Sequence, residues 1–262
     1  MTDAATLAPG TMVGRYRLEQ PLTLTGPDGP SYRAHDAATQ RRVVILEFLP
    51  PGIARRLSDG RVAPLEADDR ALYAAGIQEV QALAHDFSTF RHPHAVALLE
   101  CFAANGTVYL VTELPDGRTI ERLLGPGETL LPEEVQEILP SVLGGADAIH
   151  KAGLLHLDIC PASVWIRRDG TAALGRAHLV RRTLGAPGRA DAASPRDSEP
   201  SRRDGYRAEE YCAADGRPGP GTDIYALAAT LYRLAIGGPP PDPAARRKAL
   251  ASGQADPVGA EL

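Results

Sequence analysis

Strand-forming and helix-forming segments are segregated along this chain, and that order constrains its fold more than any other feature. Residues 15–34 read as two short strands around Gly26-Pro27-Asp28-Gly29-Pro30, a run of strong turn chemistry. Residues 42–49 form a β-branched run suited to a buried strand, and Pro50-Pro51-Gly52 ends it. Residues 68–86 gather Leu72, Ala75, Ile77, Val80, Leu83 and Ala84 on one side of a helix. Strands are then expected at 95–101 and 107–114, joined by the hairpin signal Ala104-Asn105-Gly106. Past Pro115-Asp116-Gly117 the pattern turns helical, with a short helix over 118–124. A longer helix starts at Pro132-Glu133-Glu134 and carries Val135, Ile138, Leu139, Val142, Leu143, Ala146 and Ile149 on one face. Pro140 is expected to kink it. Two short strands at 163–166 and 171–174 precede an apolar helix over 222–236, stopped by Gly237-Gly238 and three prolines. Strands first and helices second, about a hinge near 113–117, imply an α+β chain in two lobes.

Composition removes several alternatives. The chain has 262 residues, 44% apolar and 23% charged, enough for a substantial core and unlike a disordered chain. No apolar run approaches the ~20 residues of a membrane span, and nothing at the N-terminus reads as a signal peptide. A net charge of −5 argues against nucleic acid as a partner. Cys101, Cys160 and Cys212 are dispersed, with no zinc or redox pair, so a reduced, cytoplasmic compartment is expected. The 28 basic residues are 26 arginines and two lysines, Lys151 and Lys248, so no lysine in the first 150 residues can hold a phosphate. The arginine pairs at 41–42, 55–56, 167–168, 181–182, 202–203 and 246–247 are dispersed among acids and read as solvated surface. Residues 184–204 read as a mobile loop, in which Ser194, Ser198 and Ser201 are candidate phosphorylation sites.

Seven segments in order resemble a protein kinase domain of the bacterial serine/threonine type. They are Tyr16-Arg17-Leu18-Glu19, Val43 to Pro50 (V-A-I-K followed by E-F-L-P), Glu79 to Leu83, His92 to Val96 (H-P-N-I-V), Val108 to Glu113, Gly153 to Asp158 (the run into H-R-D), and Gly205 to Leu227. The resemblance covers about residues 14–240. It implies a two-lobed kinase-like fold, with a leader at 1–13, a β-rich N-lobe at 14–114 and a mainly helical C-lobe at 115–262. Residues 176–211 correspond to an activation-segment-like loop. Only residues 237–262 follow the helix that begins at Thr222, so the C-lobe is expected to be truncated after it.

The match fails where the family holds nucleotide with a glycine-rich loop, a lysine and metal-bound groups. Thr23 and Thr25 fall at the first two loop glycines. Leu46 replaces the V-A-I-K lysine, which leaves Glu79, its family partner, without that cation. In the catalytic loop, His156 and Asp158 are kept, but Leu157 replaces the H-R-D arginine, Cys160 the lysine and Ser163 the metal-binding asparagine. Arg176, Ala177 and His178 occupy the D-F-G position, so a guanidinium stands where a magnesium ligand belongs. Val44, Thr112, Glu113 and Trp165 correspond to the adenine pocket, and Trp165 with Val44 is expected to fill it. His156 with Cys160 suggests a thiol nucleophile, a weak idea for want of oxyanion donors. Glu209 resembles the acid of A-P-E, whose arginine partner is expected to be missing. Asp223 resembles the aspartate that ties down the catalytic loop.

The expectation is therefore a pseudokinase, not an enzyme, in which Asp158, His156 and Glu79 are vestigial. It would act as a regulatory or scaffolding module without cofactor or metal, binding another signalling protein (kinase, phosphatase or effector) or a second copy of itself. The alternative is a divergent transferase, or a sensor of nucleotide or another small ligand, that uses the cleft without a metal.

Overall fold

The computed structural model describes residues 6–23, 28–175, 204–212 and 216–260. They form two compact units. One holds the described residues up to Arg91 with Ala97–Leu114; the other holds His92–Val96 and the described residues from Pro115 onward.

The first unit is built on β1 (Met12–Val13), β2 (Tyr16–Thr23), β3 (Ser31–Asp36) and β4 (Arg42–Glu47). After β4 come β5 (Ala54–Arg56), β6 (Val62–Pro64), α1 (Arg70–Ser88), β7 (Leu98–Ala104) and β8 (Thr107–Glu113). Six strands make an antiparallel sheet in the order β1-β2-β3-β4-β8-β7. Strand alternation divides the apolar residues between its faces. Tyr32, Ala34, Val43, Ile45, Tyr109 and Val111 fill one side. Phe48, Leu98, Val108 and Leu110 on the other side meet Tyr73, Val80 and Ala84 of α1.

The β5–β6 hairpin is a feature the sequence reading leaves out. Its anchor is Arg56, whose guanidinium forms a two-pronged pair with Glu47 and donates to the Gly60 carbonyl at 3.1 Å. The Tyr32 and Tyr109 hydroxyls donate to the same carboxylate at 3.0 and 2.7 Å. The two charged side chains are 6% and 0% exposed, so Arg56 corrects the reading of residues 55–56 as solvated surface. A buried carboxylate needs such partners to offset lost hydration. Gly106 sits under the hairpin at φ +75°, where a Cβ would lie 2.4 Å from the Val62 carbonyl oxygen.

The second unit contains β9 (Gly117–Thr119), α2 (Ile120–Leu123), α3 (Pro132–Lys151), β10 (Val164–Arg167) and β11 (Ala172–Leu174). It ends with α4 (Glu209–Cys212), α5 (Pro220–Ile236) and α6 (Pro243–Ala251). The short strands form a sheet in the order β11-β10-β9. α3 runs on through Pro140 and buries Ile138, Val142, Ala146 and Ile149. The segment 92–96, expected in the first lobe, belongs to this unit: Val96 donates to the Leu174 carbonyl at 2.7 Å and Leu174 to that of His94 at 2.9 Å. α6 follows α5, and Arg246 grips Asp256 through two nitrogens at 3.0 and 2.8 Å. Among the described residues no helix is long and apolar enough to cross a membrane.

Candidate active site

The loop between α3 and β10 brings together most of the predicted C-lobe residues. Asp223, fully buried on α5, is its tether. One oxygen accepts the Leu157 N–H at 2.7 Å; the other accepts the His156 N–H at 2.9 Å and lies 2.8 Å from His150 Nε2. Leu157 adopts φ +59°, a region costly for a residue with a Cβ.

Both nitrogens of the buried His156 ring are committed. Nδ1 accepts the Asp158 N–H at 3.2 Å, so Nε2 carries the proton donated to the Gly175 carbonyl at 3.2 Å. Burial holds its pKa below the ordinary histidine value, against the opposing pull of Asp223 and Asp158. No ring nitrogen remains to activate Cys160, so this geometry offers no thiol dyad. Cys160 is buried with Tyr206 and Ala229 instead.

Ser163 is fully buried at the family's asparagine position. Its Oγ accepts the Cys160 N–H and donates to the Cys160 carbonyl, each at 3.0 Å. Its own carbonyl accepts the Gly175 N–H at 2.8 Å. Gly175 is crowded: a Cβ there would lie 3.0 Å from Val96 Cγ2 and 3.1 Å from Trp165 Nε1. The Trp165 indole is thus packed beside Gly175 and Val96.

In the first unit, Val44 pairs with Thr112 and Val43 with Glu113 across β4 and β8, which brings three predicted pocket residues together. Glu113 Oε1 also accepts the Ala97 N–H at 3.2 Å. Leu46 packs beside Phe48 and Val80, among the apolar residues between sheet and α1. Glu79 lies on α1, is half-buried and has a partner of its own. Thr23 ends β2, paired with Ser31. Thr25, Arg176, Ala177 and His178 lie outside the described residues, as does the segment 184–203 with its candidate serines.

Glu209, on α4, pairs with Arg247 of α6. Glu209 thus has an arginine partner within this chain. The sequence reading also passes over Arg207, which lies 5.3 Å from the centre of the Tyr211 ring and lines a cleft with Asp158, Cys160, Tyr206 and Thr222.

The described side chains do not fit a magnesium-nucleotide clamp of the family's design. Leu46 offers neither charge nor donor, and Ser163 spends its hydroxyl on the backbone of its own loop.

A family model described as the protein kinase domain matches residues 65–255. This chain belongs to the protein kinase family. A probable serine/threonine-protein kinase of Streptomyces coelicolor is 32% identical over 166 residues, which are 62% of this chain and 22% of that protein. The kinase PknL of Mycobacterium tuberculosis is 31% identical over 140 residues, 50% of this chain and 31% of that protein. The chain therefore spans less than a third of either relative. Among solved structures, the apo form of PpkA-294 shares the fold at TM-score 0.75, with 24% identity over 96% of this chain and 88% of that one. The expectation that the chain is not an enzyme is corrected by these findings: the family match and relatives named as serine/threonine-protein kinases point to a kinase enzyme.

Proposed function

We propose that this kinase-family domain serves as a regulatory or scaffolding module in bacterial cytoplasmic signalling, with the engagement of another signalling protein as its main output. The observation that carries the reading is the contrast between the loop and the clamp. Asp223 and Gly175 hold the catalytic loop through His156 and Leu157, while Leu46 and Ser163 lack the groups that would draw in a metal-bound triphosphate.

A second reading, a phosphotransferase of altered nucleotide chemistry, is favoured by Asp158, which keeps a carboxylate in the cleft at the family's general-base position.

Calorimetric titration with ATP, in the presence and absence of Mg²⁺ and Mn²⁺, tests the first reading. The expected result is that neither metal tightens binding. Binding tightened about ten-fold or more by Mg²⁺, a gain of about 1.4 kcal/mol, would overturn it. Labelled phosphate transferred from ATP to an acceptor and lost in Asp158→Ala would establish the second.

A further inference from the structure

We infer that the Arg17–Arg33 corner of the β2–β3–β4 face is a docking site for a phosphorylated side chain, a phosphate monoester carried on a segment of the partner protein. This names the chemistry of the partner and rests on the proposed role as a partner-binding module.

The site lies wholly within the first unit. Tyr16, Leu18, Tyr32, Ala34 and Val43 turn to the apolar core on one side of the sheet. Strand alternation therefore sends Arg17, Arg33, His35 and Arg42 to the other side. The register gathers them. His35 pairs with Arg17 of β2 on one flank and with Arg42 of β4 on the other. Arg33 stands two residues along β3 from His35, on the diagonal from Arg17. Diagonal neighbours of this kind lie about 7–8 Å apart, within reach of long side chains, so two guanidinium groups can close on one anion.

The positive charge there is not spent on neighbouring acids. Glu19 pairs with Arg42 at 3.5 Å. Asp36, the next residue of β3, holds Arg15 at 3.2 Å. Among the described residues neither Arg17 nor Arg33 pairs with a carboxylate. A second observation concerns Arg33 alone. It is half-buried, and its Nε is buried without a hydrogen-bond partner among the described residues. Such an unmade bond costs free energy that an incoming acceptor restores. Two uncommitted guanidinium groups call for two negative charges. A carboxylate brings one; a phosphate monoester brings close to two near pH 7, with three acceptor oxygens. Arginine suits it, because paired N–H groups match paired phosphate oxygens.

The site is separate from the positions at which the family grips nucleotide phosphates. Leu46 and Thr23 share a row with Ser31 at the far end of these strands. Four residues of β4 separate Leu46 from Arg42, a span of about 13 Å in a strand.

The test is fluorescence anisotropy on the full chain at low ionic strength, with a labelled Ala/Gly peptide carrying phosphoserine at its centre and counterparts carrying Ser or Glu there. The phosphoserine probe is expected to bind about ten-fold more tightly than the Ser probe, with the Glu probe between them. Arg17→Gln and Arg33→Gln should each cut that preference to about two-fold, and Arg17→Lys should keep part of it. Arg118→Gln, which removes one exposed positive charge from the second unit, should leave it unchanged. Arg17 is exposed, so its exchange keeps the test valid even where Arg33→Gln lowers the melting temperature. Equal binding of the phosphoserine and Ser probes, or a preference that survives Arg17→Gln, would overturn the site. A Glu probe bound as tightly as phosphoserine would overturn the choice of phosphate. Each of these failures is distinguishable from failure of the partner-binding reading, which the metal titration tests.

Discussion

Asp223 holds Leu157 in a backbone conformation that Leu157 would not otherwise choose: the carboxylate accepts its N–H at 2.7 Å while φ stands at +59°. The same carboxylate binds the His156 N–H and His150, so one buried acid ties two N–H groups of the loop to the ring of His150 on α3. Asp223→Ala is expected to cost about 3–5 kcal/mol, because it strands buried donors. Urea unfolding followed by Trp165 emission measures it; a loss under about 1 kcal/mol would contradict the tether. Leu157→Gly relieves the positive φ, so it should recover part of the Asp223→Ala loss, and the two changes should be non-additive because they share one strained turn.

His156 predicts a direction of pH dependence. Its folded pKa lies below the ordinary value of about 6.5, owing to burial. Below that value the unfolded chain binds the proton more readily than the folded one. Stability contributed by neutral His156 is thus fully present above about pH 6.5 and is lost as pH falls, with a slope of at most about 1.4 kcal/mol per pH unit. His150, Asp158 and Asp223 face the same ring region and act on it, so the comparison should be made in an otherwise unchanged chain. His156→Asn should flatten the unfolding profile between pH 7 and pH 5; an unaltered slope would place the titration elsewhere.

Gly175 and Trp165 give a packing test with a built-in reporter, since Trp165 is the single tryptophan of the chain. Gly175→Ala places a methyl group 3.0–3.2 Å from Val96 and Trp165, and is expected to cost about 1–3 kcal/mol through overpacking. The emission maximum of Trp165 should shift with it. Trp165→Leu should recover part of the loss, so the pair should be non-additive in a double-mutant cycle. Independent, additive effects would show that the indole does not press on Gly175.

The parts of the fold legible in the sequence are those written in local spacing. The β-branched run at 42–49, the apolar face of α3 and Asp223 within Thr222-Asp223-Ile224-Tyr225 each announce themselves within a few residues. What escaped depends on distant pairing. Arg56 looks like its dispersed neighbours until Glu47, Tyr32 and Tyr109 are seen around it. The three-residue strands β5 and β6 are too short to show an alternation. Arg247 belongs to an ordinary charged helix until α4 places Glu209 beside it. The commitment of Ser163 to Cys160 is likewise invisible, because a serine three residues on suits a turn as readily as a ligand set.

The Glu47–Arg56 pair separates burial of charge from stabilisation. Arg56→Met leaves a buried carboxylate with only two tyrosine hydroxyls, and should cost about 3–5 kcal/mol. Glu47→Leu with Arg56→Met removes both charges and should recover most of that loss, though the two tyrosine hydroxyls lose an acceptor. Limited proteolysis should cut the hairpin tip near Gly60 faster in Arg56→Met than in the double variant. Equal cleavage would mean that the pair does not hold the hairpin.

Ser163 shows why restoring a family residue need not restore a family function. Its hydroxyl satisfies both the N–H and the carbonyl of Cys160 inside a fully buried loop. Ser163→Ala should cost about 1–3 kcal/mol, the penalty for an unsatisfied buried amide. Ser163→Asn adds volume where the side chain has no exposed surface, so its larger amide must displace neighbours. It should therefore destabilise the chain at least as much as alanine does, and should not by itself raise Mg²⁺-dependent nucleotide affinity. Adding Leu46→Lys supplies the missing ammonium, but at a position packed among Phe48 and Val80, where it must first be desolvated. A single Ser163→Asn exchange that keeps full stability and confers magnesium-dependent ATP binding in calorimetry would show that the loop has room for a ligand set, and that the commitment to Cys160 does not govern it.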